Sequence, residues 1–544
     1  SATATAAAAA TPAATPAPRG LATPATAERP GGATRAQNSA LLLSSRLARR
    51  AALRAEMTLG DDLGFDSMMV ADLVEDITKA VDGLDGIPQE LLINSPTIQD
   101  LIYFAENPIA MADSADDDAP LNRYEGTWVP AALLDSARDE GPRGVALLAG
   151  TESTWTAPLV AALEAEGYTI SRDLNTPAAV VLWQQDVSAP VPVSAVLSGE
   201  AEMPDASGEF IAVLDAQATH GHTPDVLLVA REDDLWAAGP AGALRAASKE
   251  WTEATIKALH IDPTMGASAL ANAAIAELGS PDQTVDIRLS PQGRFVRGMQ
   301  RIAPASIEQQ KWQPDAADTV LVTGGTRGIG LKLARRVATS GANVLLLGRG
   351  APSDEATVFI GASQGQVQAL RADVTDRDAM NIALKGHDVT AVIHAAGLLA
   401  DGPLGEVEPE RGHMSRMVKA EGFLNTISAA GSSLEVALGI GSWAGRFGNR
   451  HQCHYGAGNA QLAALAKAMP MRLRAVVPEF GPWSSSEMVA TIPPSVQNAM
   501  RSAGVDFVGD AVGLGALLDD LYEGHGSFVR GRRVNTTSRQ ATTQ

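Results

Sequence analysis

Val320-Leu321-Val322-Thr323-Gly324-Gly325-Thr326-Arg327-Gly328-Ile329-Gly330-Leu331 is the segment from which the fold of this 544-residue chain is read. It runs from branched apolar residues through glycines into 331–340, where Leu331, Leu333, Ala334 and Val337 recur at helical spacing. A strand that turns through glycines into a helix is the opening of a dinucleotide-binding unit. Glycines let the backbone approach a pyrophosphate, and the helix N-terminus offers N–H groups and the positive end of its dipole. Gly324, Gly325, Thr326, Arg327, Gly328, Ile329 and Gly330 are therefore the candidate phosphate-binding residues. The next strand, 344–347, ends in Gly348-Arg349. An arginine where a ribose-contacting acid would stand favours the 2′-phosphate, and hence NADPH. Arg327 is either a second candidate for that phosphate or a solvated surface arginine. Asp373-Val374, after Leu370-Arg371-Ala372, is placed to meet the adenine.

Outward from that turn, 313–535 alternates short apolar strands (320–322, 344–347, 391–394, 436–440) with helical segments. Residues 121–312 follow the same rhythm, with strands expected at 145–148, 180–183, 210–214 and 226–229 and helices at 156–166 and 240–259. Short buried strands alternating with helices imply a parallel α/β sheet. In the first of these regions Leu148-Ala149-Gly150-Thr151-Glu152 lacks the further glycines of a phosphate loop. The reading is two Rossmann-like halves, one degenerate and one equipped.

Some 120 residues beyond the glycine turn stands Gly441-Ser442-Trp443-Ala444-Gly445, followed by His454-Tyr455-Gly456-Ala457-Gly458-Asn459. Hydride reduction of a ketone leaves negative charge on oxygen, so a donor must sit there as the charge develops. A tyrosine hydroxyl can give its proton, and with an ordinary pKa near 10 it benefits from a nearby cation. A serine hydroxyl can position the carbonyl. Tyr455 and Asn459, four apart, share a face if they lie on a helix. His451, Cys453 and His454 lie within or beside the same loop, but nothing in their spacing closes a metal shell, and no metal is expected.

Composition bounds the rest. The net charge of −21 argues against nucleic acid as a partner. No apolar run reaches the length of a membrane helix, and the single cysteine suits a reducing cytosol, so a cytoplasmic protein is expected. Residues 1–36 are rich in Ala, Pro, Thr and Gly and read as a disordered linker, as though cut from something larger. Residues 38–109 read as a small α-helical bundle, 110–120 as an acidic linker and 536–544 as a disordered tail. Nine acids between 60 and 90 face one base, Lys79, and form either a solubilising face or a docking surface for basic domains.

The Ser442/Tyr455 pair, with Asn459 four residues after the tyrosine and Lys419 upstream in Met417-Val418-Lys419-Ala420-Glu421-Gly422, resembles the short-chain dehydrogenase/reductase superfamily. Most of that superfamily carries lysine where Asn459 stands. The exchange of Lys and Asn positions is similar to the ketoreductase domains of type I polyketide and polyunsaturated-fatty-acid synthases. The resemblance extends through 121–535, including Tyr124-Glu125-Gly126-Thr127-Trp128-Val129-Pro130 as the opening strand of a structural subdomain (121–312) that braces a catalytic one (313–535). It implies Tyr455 as proton donor, Ser442 as carbonyl anchor, and Lys419 and Asn459 as tuning and relay groups. His394-Ala395-Ala396-Gly397 resembles the family segment that lines the nicotinamide, so Ala395, Ala396 and Gly397 join the cofactor residues. Asp401 resembles the aspartate of reductases giving the D-hydroxy product, and Phe447 stands where reductases of opposite sense carry tryptophan.

Asp61-Asp62-Leu63-Gly64-Phe65-Asp66-Ser67-Met68 resembles the 4′-phosphopantetheine attachment site of acyl carrier proteins, with Ser67 as the modified residue. From the residues alone Asp-Ser is also an ordinary helix N-cap. Together the resemblances imply a multidomain chain, an acyl carrier followed by a ketoreductase, in the order of polyunsaturated-fatty-acid and enediyne-type synthases. Its expected reaction is NADPH-dependent reduction of a carrier-tethered β-ketoacyl thioester. Its expected partners are ketosynthase, acyltransferase and dehydratase domains, a phosphopantetheinyl transferase and the acyl thioester. Two rivals remain at this level: a reductase of free ketones with a helical docking domain, and a silent scaffold that displays a carrier.

Overall fold

A computed structural model describes residues 119–134, 143–185, 190–302, 312–470, 472–490 and 507–532, with isolated positions at Asp117, Gln497, Met500, Arg501 and Val505. The chain divides into two compact units, 1–116 with 490–505, and 117–489 with 506–544; all elements below belong to the second. The linker 1–36, the helical bundle 38–109 with Ser67, most of the acidic linker 110–120 and the tail 536–544 lie outside the described residues.

The strands are β1 (Asn122–Pro130), β2 (Val145–Gly150), β3 (Thr169–Ser171), β4 (Val180–Gln185), β5 (Asp225–Arg231), β6 (Ile256–Ile261), β7 (Asp286–Ser290), β8 (Gly293–Ile302), β9 (Thr319–Thr323), β10 (Asn343–Gly348), β11 (Val367–Arg371), β12 (Ala391–His394), β13 (Val436–Gly439), β14 (Gly441–Ser442), β15 (Arg474–Phe480) and β16 (Gly526–Gly531). The helices are α1 (Thr156–Ala165), α2 (Val193–Ser198), α3 (Ala206–Thr219), α4 (Ala238–Glu250), α5 (Ala267–Gly279), α6 (Gly328–Ala338), α7 (Asp354–Ala362), α8 (Arg377–Ala383), α9 (Pro409–Ala430), α10 (Trp443–Phe447), α11 (Cys453–Ala468) and α12 (Asp510–Glu523).

One sheet runs β11-β10-β9-β12-β13-β15-β16-β1-β8-β7-β6-β5-β4-β2-β3, with the short β14 beside β15. Its two wings are parallel, and its centre is antiparallel where β1 joins β16 to β8 and β8 joins β7. Strand β9 lies between β10 and β12, with Val322 opposite both Leu346 and Ile393. Alternate side chains leave the strands on opposite faces. Thus Val320 and Val322 enter one core with Val344 and Leu346, while Leu321 enters the other with Leu345 and Leu347. Each such fully buried side chain contributes about 1.5–3 kcal/mol. Both faces being covered explains why these strands are continuously apolar. In each wing the strand order reverses next to its first parallel strand: β9 lies between β10 and β12, and β2 between β3 and β4. Ligands of open α/β sheets bind outside the strand ends at that reversal.

Two expected elements are corrected. Residues 210–214, read as a strand, lie inside α3. Asp205 caps that helix by accepting from the Gly208 N–H at 2.9 Å, and Phe210, Val213, Leu214 and Gln217 form its buried face. The helix read over 240–259 ends at Glu250, and its last residues belong to β6. That strand lies between β5 and β7, so its run of buried residues is that of a central parallel strand.

Candidate active site

The glycine turn is built as its composition requires. Gly324 has φ +64°, and a Cβ there would lie 2.9 Å from Ala395 O and Ala396 N, the chain leaving β12. A Cβ on Gly330 would lie 2.5 Å from the Gly324 carbonyl oxygen. Gly328, at φ +56°, faces open space, and no side chain caps the start of α6. The first N–H groups of that helix are thus left to an anion, which fits the pyrophosphate of a dinucleotide. Thr326 is buried and fills the space left by Gly348 at the end of β10. Arg327 is exposed and extended, while Ile329 is partly buried. Beside them Arg349 reaches within 3.6 Å of the Asp373 carboxylate, both side chains being part-exposed. The Asp373 carboxylate accepts the Thr375 N–H and hydroxyl. Val374 is buried, and its carbonyl accepts from Asn425 Nδ2 at 3.1 Å.

At the end of β12, His394 is fully buried. Its Nε2 lies 2.9 Å from the Val418 carbonyl, which only accepts, so Nε2 carries the proton and Nδ1 accepts from the Thr323 hydroxyl at 2.9 Å. Burial, reinforced by the Lys419 charge, lowers its pKa to about 3. A neutral imidazole therefore pins α9 to the two strands that flank the glycine turn. Lys419, on α9, is buried, and its Nζ donates to the Ile440 carbonyl at 2.9 Å, two residues before Ser442. Burial lowers its pKa to about 8. Gly397 gives this lysine room, since a Cβ there would meet Cε at 3.3 Å and Nζ at 3.4 Å.

Ser442 closes β14 and caps α10, its oxygen accepting the Ala444 N–H at 3.2 Å. Tyr455 lies in the first turn of α11, with its phenol facing the Ser442 side chain. Burial raises the phenol pKa, the Ser442 and Asn459 side chains oppose that shift, and the Asp401 charge adds to it. Asn459 donates Nδ2 to the Tyr455 carbonyl at 2.9 Å, while its buried Oδ1 has no partner. An orphaned buried acceptor is costly, and here it lies beside the tyrosine. Asp401 has its own pKa raised by burial and accepts from Gln452 Nε2 at 2.9 Å. The Gly402 N–H donates to the His451 carbonyl at 2.9 Å, so the chain after β12 is tied to the loop before Tyr455. Phe447 is part-exposed and packs edge-on against Trp443.

The structure thus brings Ser442, Tyr455 and Asn459 together, and sets Lys419 between Gly397 and the strand end that leads to Ser442. Several neighbours escaped the sequence reading. Gln452 holds Asp401, and Thr323 fixes the His394 tautomer. Arg416 donates to His454 Nδ1 at 2.7 Å and to Asp205 at 2.8 Å, which lowers the His454 pKa, with burial as the larger cause, to about 4. These partners lie tens to hundreds of residues apart, and no local pattern announces them.

The fold is Rossmann-like, in two α/β halves of which the second carries a glycine turn of the dinucleotide-binding type. Residues 318–485 match the family model described as the KR domain. Among similar proteins, polyketide synthase GfsA of Streptomyces halstedii is 31% identical over 266 residues, which cover 46% of this chain and 4% of that protein. Naringenin synthase of Pestalotiopsis fici is 34% identical over 212 residues, 37% of this chain and 8% of that one. The chain therefore spans less than a tenth of either relative. Among solved structures, PlmKR1, the ketoreductase from the first module of phoslactomycin biosynthesis in Streptomyces sp. HK803, superposes with a TM-score of 0.58 at 25% identity, over 77% of this chain and 94% of that one. Among the described residues, no helix is long and apolar enough to cross a membrane.

Proposed function

We propose that this chain reduces a β-ketoacyl thioester to the β-hydroxyacyl thioester with NADPH, the acyl group being carried by phosphopantetheine on Ser67. The observation that carries the reading is the convergence of Ser442 and Tyr455, with Lys419 anchored at the strand end that leads to Ser442. The KR-domain match and the polyketide synthase relatives support it. NADPH, when bound, supplies the hydride. Tyr455, whose pKa burial raises further above neutral, holds its proton until it can give it to the carbonyl oxygen. Ser442 orients that oxygen and stabilises the charge on it. Lys419 places a positive charge near the end of β13 without a carboxylate to quench it, and His394, held neutral, adds no second charge. Asn459, with its unpaired Oδ1, can accept from a water, and that water can return a proton to the phenol. Arg349 and Arg327 favour the 2′-phosphate, and Asp401 favours the D-hydroxy product. Tethering raises the effective concentration of the ketone, so a tight pocket is not required. Ketosynthase, acyltransferase and dehydratase domains are the partners such a step needs before and after it.

Intact-protein mass spectrometry tests this directly. After treatment with a phosphopantetheinyl transferase and β-ketoacyl coenzyme A, the chain should gain the acyl-phosphopantetheine on Ser67, and NADPH should then add two hydrogens. No gain, or a gain that survives Ser67→Ala, removes the carrier from the reading. A loaded chain that NADPH leaves unchanged removes the reductase.

A further inference from the structure

The element that carries Ser442 is short. Helix α10 has five residues, too few to hold its own conformation. Its last carbonyls lack intrahelical partners. One of them, Gly445 O, accepts from Arg245 Nη1 at 2.8 Å. Arg245 belongs to α4 of the first half, 200 residues away in sequence. Its guanidinium is buried and forms a bidentate pair with Asp286 of β7 at 2.7 and 2.6 Å. A cation at a helix C-terminus stabilises it, and a bidentate pair fixes the fork that provides the cation.

Two further contacts place the same helix. Gly448, just after α10, has φ +72°, and a Cβ there would overlap the Arg245 carbonyl. On its other side Arg446 donates Nε to Glu479 at 2.8 Å, and Glu479 lies opposite Gly441 in the β14–β15 ladder. Helix α4 also meets the helix that carries Tyr455, where a Cβ on Gly242 would lie 2.8 Å from the Gly456 carbonyl. So α4 touches the elements of both reacting hydroxyls, one through a charged clamp and one through a close backbone approach.

We infer that Arg245, held by Asp286, is a positioning residue through which the first half sets Ser442 against the Tyr455 phenol. This rests on the reductase reading of the site, but its physical content is the placement of one hydroxyl beside another. Loss of the clamp frees the end of α10, and Ser442, its N-cap, moves away from the phenol. Misplacement on the scale of an ångström costs roughly 10²-fold in rate. Cofactor affinity is untouched, because the glycine turn lies on other elements.

The test uses the full chain labelled with [ζ-13C]tyrosine, whose Cζ shift reports hydrogen bonding of each phenol at neutral pH without turnover. The chain has five tyrosines, and Tyr455→Phe assigns the signal. Ser442→Ala gives the shift expected when the serine hydroxyl no longer faces the phenol. Arg245→Met should move the Tyr455 signal the same way and lower kcat roughly 10²-fold with NADPH affinity unchanged. Asp286 would keep His260 at 3.0 Å and Arg297 at 3.7 Å, so its charge is not abandoned. Arg245→Lys, which keeps the charge but loses the planar fork that holds Asp286 bidentately, should give a smaller shift in the same direction and decides the question if the methionine variant does not fold. Arg294→Met breaks another buried pair, with Glu277, remote from α10, and should lower thermal stability without moving the signal. A Tyr455 signal unmoved in both Arg245 variants overturns the inference, as does an equal shift in Arg294→Met. A wild-type chain that reduces no β-keto thioester overturns the reductase reading instead, and the carbon shift still judges the clamp.

Discussion

The two halves begin alike and part after one glycine. Gly150 ends β2 with φ +87°, and a Cβ there would overlap the Gln184 carbonyl of β4; Gly324 follows β9 with φ +64° and meets the end of β12 in the same manner. Each first glycine lets two parallel strands of a wing close at the reversal of strand order. Beyond it the first half fills the turn with its own side chains. The Ser153 N–H donates to Thr156 Oγ1 at 2.8 Å, the Trp155 N–H donates to Ser153 Oγ at 3.0 Å, and Trp155 itself is buried. Neither helix has a side-chain cap, but the second half leaves the space at Gly328 open. One skeleton therefore yields a packed corner in one wing and an anion cradle in the other. What differs is whether side chains or nothing stand before the helix N-terminus.

The largest effect is expected where the halves differ in chemistry. Helix α4 follows β5 as α11 follows the β13–β14 strand end, and the two helices pack on each other, yet α4 carries no tyrosine. Tyr455→Phe makes the second half resemble the first. Reduction of a β-keto thioester surrogate should fall roughly 10²–10⁴-fold, with NADPH affinity retained, by stopped-flow and fluorescence titration. Turnover within a few-fold of wild type would take the proton-donor role from this residue.

The glycines offer the next contrast. Gly330→Ala forces a methyl into the Gly324 carbonyl and should weaken NADPH roughly 10²-fold by collapsing the cradle, with a small change in melting temperature. Gly150→Ala, strained by its positive φ, should cost about 1–3 kcal/mol of stability and leave NADPH affinity intact in protein that remains folded. Calorimetry and titration on both variants read the two effects. If Gly150→Ala weakened NADPH as much as Gly330→Ala, the functional division between the wings would fail.

The same contrast shows what the sequence discloses. The second half is legible because glycines, apolar alternation and the Ser442/Tyr455 spacing are local signals. Residues 210–214 misled because five apolar residues in a row suit a buried strand as well as a buried helix face. The arbiter was Asp205, five residues upstream, whose carboxylate caps the helix. Residues 251–259 misled for the opposite reason, since helical composition runs past Glu250 while Trp251 turns the chain into β6. The site's supporting groups were not legible at all. The Arg245–Gly445, Arg446–Glu479 and Gln452–Asp401 bonds exist only once the sheet is assembled.

The smallest effect separates two buried lysines, one in each half. Lys257 donates to the carbonyls of Asp282 and Thr284, and although burial lowers its pKa, Asp282 and Glu277 oppose the shift. Lys419 is lowered to about 8 by burial alone. Its folded value lies below the ordinary 10.5, so the protonated lysine works against folding. That penalty is full below about pH 8, shrinks as pH rises through the interval, and is gone by about 10.5. Roughly 3 kcal/mol is the upper end of such a penalty, and the lost bond to Ile440 returns about 1 kcal/mol of it. Lys419→Met should therefore unfold in urea at the same or higher midpoint than wild type at pH 7, an advantage that vanishes toward pH 10.5, while reduction slows. Lys257→Met should lower the midpoint at both, because it strips carbonyls and carboxylates of their cation. A Lys419→Met protein less stable than wild type at pH 7 would show this lysine to be a structural strut like its counterpart, and would remove the case that the second half tolerates an uncompensated charge for the sake of its chemistry.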